Sequence, residues 1–219
     1  MPETRSVEAE IDRLYRAARF DGVRLLRALP EFAWTLLSQR RLSTAVNPHA
    51  QSATLLPVKR RVGEFLQVLA LAVRARTIVE YGTSLGVSTL YLAQAARRVG
   101  GHVYSAEIVP EKCRAARESL RATGLAPFAT VFEGDALVTL QQVSSGVDFV
   151  LLDGWKRDYE KIIALLLPHL LPGCVIYADN VNFSETRSYT ASMTSATSPF
   201  TSVLMFRGKG LLSVFHGAS

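Results

Sequence analysis

Four acidic residues each close a short apolar run. Glu80 follows residues 77–79, Glu107 follows residues 102–106, Asp153 follows residues 147–152, and Asp179 with Asn180 follows residues 174–178. Carboxylates in such a series can bind a cationic group, accept hydrogen bonds from hydroxyls, or hold a metal ion through hard oxygen ligands. So many negative charges make a poor phosphate cradle and suit a cationic cofactor, a metal ion, or both. Lys156 lies three residues after Asp153 in the segment Asp153-Gly154-Trp155-Lys156. Its amine could accept a proton from a substrate hydroxyl.

Short apolar runs of this kind predict buried parallel strands. Ligands of open α/β sheets bind at the carboxyl ends of the strands, so all four acids are predicted on one rim. From Thr77 onward the pattern alternates in the manner of βαβ units. Strands are predicted at 77–81, 102–106, 129–132, 147–152 and 174–178, with helices at 87–98, 110–123, 136–142 and 158–167. Two β-like runs end the chain, at 202–207 and 210–215, with Gly208-Lys209 as the hairpin turn. The Ser/Thr-rich stretch 184–202 reads as a loop. Upstream, residues 6–29 carry an amphipathic helical pattern ended near Pro30, residues 32–37 a short helix, and residues 58–74 another helix. The segment 38–57 between them is irregular and polar, with Pro48 and Pro57 as breakers. The resulting organisation is an N-terminal helical extension with a lid over residues 1–57 and a single α/β domain over 58–219.

Bulk properties narrow the class. Residues 1–76 hold 13 Lys/Arg against 7 Asp/Glu, a balance of +6, whereas residues 77–219 hold 12 of each. The catalytic-looking part is neutral and the basic excess precedes it, scattered among acids as on a solvated helix face. Cys113 and Cys174 are the only cysteines, which excludes a disulfide scaffold and a thiolate zinc site and fits a cytoplasmic chain. The apolar stretch 162–178 is broken by Pro168, Pro172 and Gly173, so it reads as helix, turn and strand rather than a membrane span.

The glycine segment Gly82-Thr83-Ser84-Leu85-Gly86 stands between a strand and a helix, with Ser88 in the first helical turn. A glycine there lets backbone approach a ligand closely. The spacing is GxxxG rather than the GxGxxG of dinucleotide folds, and Glu80 beside it favours a positive group such as an amine. Glu107, 25 residues after Gly82, can accept both hydroxyls of a ribose. Asp135, in Gly134-Asp135-Ala136, can read an adenine edge or cap a helix. Asp153, Asp179 and Asn180 supply three hard oxygen ligands of the kind Mg²⁺ accepts.

Taken together, the glycine loop, the acid at the second strand end, the Asp-x-Trp-Lys-x-x-Tyr segment and the Ala-Asp-Asn strand end resemble the class I S-adenosylmethionine-dependent methyltransferases. Within that class the resemblance is to the Mg²⁺-dependent, catechol O-methyltransferase-like group, over about residues 56–183. It implies a Rossmann-like, seven-stranded, mostly parallel sheet with helices on both faces and an antiparallel C-terminal hairpin strand. It also implies roles. Gly82, Ser88 and Glu107, supported by Glu80, would hold the methionine and ribose parts of the cofactor. Asp135 and Ala136 would lie near adenine. Asp153, Asp179 and Asn180 would bind the metal, with Asp153 also near the cofactor amine. Lys156 would be the base and Trp155 a wall of the acceptor pocket.

Two departures bear on the acceptor. Related catechol enzymes carry a carboxylate before an aromatic in the penultimate strand, whereas Leu204-Met205-Phe206 stands here, placing Met205 in the pocket. The loop after Asn180 reads Val181-Asn182-Phe183-Ser184-Glu185, without the Pro-Gly or Ser-Gly common there. The expected partner is therefore a small hydroxylated acceptor with a larger apolar or aromatic part and two adjacent oxygens. A nucleic-acid methyltransferase using the basic front, and a metal-independent small-molecule methyltransferase, are the competing readings. The N-terminal helix could close either the active site or a homodimer.

Overall fold

The computed structural model describes residues 5–18, 57–144 and 146–217. Seven strands form one sheet in the order β3-β2-β1-β4-β5-β7-β6. They are β1 (Thr77–Tyr81), β2 (His102–Glu107), β3 (Ala129–Glu133), β4 (Val147–Leu152), β5 (Leu170–Ala178), β6 (Phe200–Met205) and β7 (Gly210–Phe215). The first five pair in parallel; β7 runs antiparallel to both β5 and β6. The helices are α1 (residues 7–18), α2 (Arg60–Ala72), α3 (Val87–Val99), α4 (Pro110–Ala122), α5 (Ala136–Thr139), α6 (Tyr159–Leu166) and α7 (Arg187–Thr194).

The central strands are apolar on both faces because both faces are covered. Ile78, Val103, Phe149, Leu151 and Val175 pack against α1, α2, α3 and α4. Val79, Ala106, Val150, Leu152 and Ile176 pack against α5, α6 and α7. This alternation along each strand is the period-2 pattern of a two-sided sheet. No helix among the described residues is long and apolar enough to cross a membrane.

Register decides which residues meet. Tyr81 pairs with Ala106 and Leu152, and Leu152 pairs with Ala178. The next residue of each strand end therefore falls into one row across the carboxyl rim: Gly82, Glu107, Asp153, Asp179. Glu80 pairs with Ser105 and Leu151, two residues below that row. Its expected place on the rim is thus corrected: it lies under the rim and is fully buried.

The stretch 184–202, expected as a loop, contains α7 and the start of β6. Tyr189 and Met193 supply the buried stripe of α7 at i,i+4 spacing, and the Thr186 hydroxyl donates to the carbonyls of Val181 and Phe183, both at 2.8 Å, before the helix begins. Only two apolar residues mark that helix among Ser and Thr, so periodicity could not reveal it. The hairpin turn includes the expected Gly208-Lys209 but begins two residues earlier, spanning residues 206–209 between Met205 and Gly210, with a hydrogen bond from the Gly208 N–H to the Met205 carbonyl at 3.0 Å.

Of the N-terminal expectations, residues 7–18 are helical; the remainder of 6–29, the helix at 32–37 and the segment 38–56 lie outside the described residues. α1 docks into the same core as α2 through Val7, Ile11 and Leu14. Its Glu10 is buried and holds Arg5 at 3.0 Å, Arg13 at 2.5 Å and the Ser119 hydroxyl of α4 at 2.8 Å. Hydrogen bonds from these groups, above all Arg13, outweigh desolvation and bring the Glu10 carboxyl down to about 2.

Candidate active site

The glycine loop packs against the protein itself. Gly82 has φ +102°, and a Cβ there would lie 2.7 Å from the backbone of Asp153 and Gly154. Gly86 has φ +85°, and its Cβ would meet Ala116 of α4 at 3.0 Å. The two glycines thus let β1 cross beside the Asp153 turn and let α3 start against α4. The Glu107 carboxylate accepts from the Ser84 N–H at 2.8 Å and from the Val109 N–H at 3.0 Å. These two backbone donors orient it, and each oxygen keeps a lone pair for a further hydroxyl.

Beneath the loop, Glu80 Oε2 accepts from the Thr89 hydroxyl at 2.6 Å and the Ser105 hydroxyl at 2.5 Å. Thr83 joins this network through Ser105. Oε1 has no hydrogen-bond partner among the described residues. Burial pushes the Glu80 carboxyl up to about 7, against the hydroxyls of Ser105, Ser88 and Thr89 and with repulsion from Asp153. Ser88, in the first turn of α3, is buried beside it. Glu80 therefore ties β1, β2 and α3 together from below the cleft. On the far side of Glu107, the Gly134 N–H donates to the Glu107 carbonyl at 2.9 Å. Asp135 accepts from the Leu137 N–H at 2.8 Å and so caps α5, with Ala136 buried behind it.

The second half of the rim holds the ionisable groups. The Asp153 N–H donates to the Tyr81 carbonyl at 2.8 Å and the Asp179 N–H to the Leu152 carbonyl at 2.9 Å, which seats both acids on adjacent strand ends. Lys156 Nζ lies 3.2 Å from Asp153 Oδ1, 3.1 Å from the Gly154 carbonyl and 2.9 Å from the Tyr159 hydroxyl. Tyr159 in turn donates to the Asp179 carbonyl at 2.9 Å. Burial raises the Asp153 carboxyl to about 6; Lys156 opposes this, Asp179 adds to it, and the Asn180 side chain opposes it through a hydrogen bond. The Asn180 N–H also donates to Asp179 Oδ1 at 2.9 Å, with Asn180 at φ +59°.

The donor set fits a hard divalent cation. Asp153, Asp179 and Asn180 stand on adjacent strand ends, both carboxylates and the amide are of the oxygen-bearing kind such a cation takes, and the repulsion that Asp153 feels from Asp179 is what it would relieve. Among the described residues no group of three or more His, Cys, Asp and Glu forms a cluster of metal-ligating type; the third donor here is an amide.

The Trp155 backbone N–H donates to the Tyr81 hydroxyl at 3.2 Å, and the Arg157 guanidinium lies 5.3 Å from the Trp155 ring centroid. Met205 is half-buried against the α1–α4 side of the core. The residue that reaches the rim beside it is Phe206. Its ring meets Phe65 at 5.5 Å and Tyr177 at 6.2 Å, both edge-on. Tyr177 Oη lies 3.5 Å from Asp179 Oδ1.

Sequence reasoning gave no role to Tyr159, Ser105, Thr89 or Phe206. Tyr159 could have been found, since it stands at i,i+3 from Lys156 as Lys156 does from Asp153. Ser105 could not, because its meeting with Glu80 depends on the β1–β2 register.

A family model described as "Methyltransferase domain" matches residues 79–181. The catechol O-methyltransferase of Mycobacterium tuberculosis is 36% identical over 136 residues, 60% of this chain and 61% of that protein. That of Niastella koreensis is 31% identical over 145 residues, 64% of this chain and 65% of that protein. The chain thus aligns to less than two thirds of the length of either relative. Among solved structures, the cofactor-bound Rv0187 of MTB is 25% identical with a TM-score of 0.69, covering 85% of this chain and 97% of that one. The Bacillus cereus O-methyltransferase in complex with SAH is also 25% identical, with a TM-score of 0.65, covering 83% of this chain and 96% of that one. The sheet order, the rim it builds and these likenesses agree: residues 79–181 match a methyltransferase domain, and the chain is similar in sequence to catechol O-methyltransferases and in fold to O-methyltransferase structures.

Proposed function

We propose that this chain is an S-adenosylmethionine-dependent O-methyltransferase that acts, with Mg²⁺, on a hydroxyl of a small, aromatic or vicinal-diol acceptor. The observation that carries the reading is the single rim row Gly82, Glu107, Asp153, Asp179, with Lys156 held on Asp153. The SAH held by the Bacillus cereus relative supports the cofactor. The two buried free cysteines support a reducing, cytoplasmic setting.

When bound, S-adenosylmethionine supplies a methyl group on a sulfonium, open to in-line displacement by an oxyanion. Glu107, fixed by the Ser84 and Val109 amides, holds the ribose hydroxyls. Gly82 and Ser88 border the methionine part, Asp135 and Ala136 the adenine, and Asp153 the amine. Glu80 acts from beneath by keeping Thr89 and Ser105 in place. Mg²⁺, held by Asp153, Asp179 and Asn180, supplies when bound a positive charge that favours the ionised acceptor hydroxyl. Lys156 Nζ takes the hydroxyl proton. To do so the neutral amine turns its lone pair from one of its contacts with Asp153, Gly154 and Tyr159 towards the acceptor, and as an ammonium it has three donors for the same three partners. Trp155 and Met205 contribute walls. Alignment of the two reactants accounts for most of the rate gain.

Titration calorimetry with S-adenosylmethionine and its demethylated product, followed by an acceptor panel with Mg²⁺ and with EDTA, tests this reading. Cofactor binding with EDTA-sensitive transfer is the expected result, and Lys156→Ala is expected to lose about 10²–10⁴-fold in kcat while still binding cofactor. Metal-independent transfer would remove Asp153, Asp179 and Asn180 as a metal site, leaving the Lys156–Asp153 ion pair as the sole charge compensation. No cofactor binding would sink the assignment.

A further inference from the structure

Away from the rim, a cavity of about 230 Å³ lies between α6, α7 and the start of β6. It sits on the α5–α7 face of the sheet, opposite α1 and α2. Glu160, Ile163 and Ala164 line it from one face of α6, at the i,i+3,i+4 spacing that brings helical residues together. Leu167 follows one turn on. Tyr189 and Met193 line it from α7, and Ser198 and Phe200 from the entry to β6. None of these residues belongs to the cofactor, metal or acceptor groups of the rim.

Two hydroxyls in this lining have nothing to bond. Tyr189 is 1% exposed, yet its hydroxyl has no hydrogen-bond partner among the described residues. The Ser198 hydroxyl is buried in the same state, as is that of Thr190 beside Tyr189. Tyr159, whose ring meets Tyr189 edge-on at 5.5 Å, turns its own hydroxyl to the Asp179 carbonyl. Burial pushes the Tyr189 phenol above its usual range, so it keeps its proton and can both donate and accept. A buried hydroxyl left unbonded is costly, and most such groups in folded proteins have a partner.

We infer that this cavity is a second small-molecule site, and that it takes a neutral single-ring aromatic bearing a hydroxyl, a phenol. An apolar cavity of about 150 Å³ holds benzene, so the volume here leaves room for a ring and its substituent. Ile163, Leu167 and Met193 offer apolar and thioether contacts, and Phe200 an aromatic one. A phenol hydroxyl donates and accepts, which matches two hydroxyls that each do the same. The one charged residue of the lining, Glu160, is exposed at the mouth. A carboxylate ligand would meet that like charge with no cation in the lining to offset it. An ammonium would give up hydration for one exposed partner. Water in the cavity would satisfy the same hydroxyls and would leave it indifferent to phenol. Binding here is independent of methyl transfer at the rim.

Met193 supplies a local probe, since the chain has three methionines, Met1, Met193 and Met205. In the full chain labelled with ¹³C at the methionine methyls, phenol is expected to shift the Met193 signal saturably, with a Kd of about 1 mM or lower. Toluene lacks the hydrogen bond and is expected to bind about ten-fold more weakly. Benzoate is expected to leave the signal in place. Tyr189→Phe keeps the ring and is expected to bring phenol to within about two-fold of toluene. Ala164→Phe, a change at an exposed position of the mouth, is expected to block both ligands. A Met193 signal unmoved by phenol would overturn the site, and a shift confined to Met205 would do the same by placing phenol elsewhere. Equal affinity for phenol and toluene in the parent would overturn the ligand class. Phenol binding that persists unchanged in Ala164→Phe would overturn the cavity as its location.

Discussion

Lys156 Nζ and the Tyr159 hydroxyl stand 2.9 Å apart, and the same hydroxyl spends its proton on the Asp179 carbonyl 2.9 Å away. Tyr159 therefore meets the lysine only as an acceptor. It ties the β4 turn, which carries the lysine, to the β5 end, which carries two candidate metal ligands. Burial, with Asp153 and Asp179 close by, holds its own ionisation well above the usual phenol range, so it stays a neutral phenol. Tyr159→Phe keeps the ring, which also packs edge-on against Tyr81 and Tyr189. It removes both hydrogen bonds. The expected result is roughly a ten-fold fall in kcat with cofactor affinity and acceptor KM little changed, about the value of one charge-assisted bond. A matching rise in KM without loss of kcat would count against a positioning role for Tyr159.

Glu80 predicts an unusual pH dependence of stability. Its folded carboxyl titrates at about 7 against an ordinary 4.5, so the folded state binds the extra proton between those values. Stability from this group is full below pH 4.5 and is lost as pH rises through 7, by up to about 3 kcal/mol. Urea unfolding of the cofactor-free protein at pH 5.5 and pH 8.5 should show about 2 kcal/mol of that loss. Glu80→Gln should flatten the difference, and an unchanged difference in the variant would assign the dependence to other groups.

Gly82 is held by close contact with protein backbone. Gly82→Ala would force a methyl group to within 2.7 Å of the Asp153 carbonyl at a φ of +102°. Loss of about 2–4 kcal/mol is expected, from steric overlap plus backbone strain. Cofactor affinity should fall with it, since the Asp153 turn must move. Thermal unfolding together with calorimetry checks both; an alanine variant of parental stability would show that the loop relaxes freely.

Glu10 gives the N-terminal helix a measurable role. Its depressed carboxyl contributes stability above pH 4.5 that disappears as pH falls through about 2. Glu10→Gln should cost about 2–3 kcal/mol at pH 7, less than a fully buried pair because Arg5 and Arg13 are half-exposed. Deleting residues 1–50 should destabilise the domain, because Ile11 and Leu14 belong to the core. A deletion variant that keeps the parental unfolding temperature would separate α1 from that core.

Much of this protein is written locally. Runs 77–81 and 147–152 lie in the chain as they lie in the sheet, because a strand buried on both faces must be largely apolar, with Glu80 and Asp148 as the exceptions. The residues that follow such runs, Glu107, Asp153 and Asp179, could be placed on one rim from sequence alone, and the strand register puts them there. Local pattern failed where tertiary contacts outvoted composition, as in α7, whose helix rests on two buried side chains among Ser and Thr. It failed again at the Phe206–Arg207 turn, where residues poorly suited to left-handed backbone are held by Phe65, Tyr177 and the β5 edge. Strand register is a property of pairs of segments, and no single segment encodes it. Register alone lowered Glu80 beneath the rim onto Ser105, and only the folded chain brought Tyr159 between Lys156 and the Asp179 carbonyl.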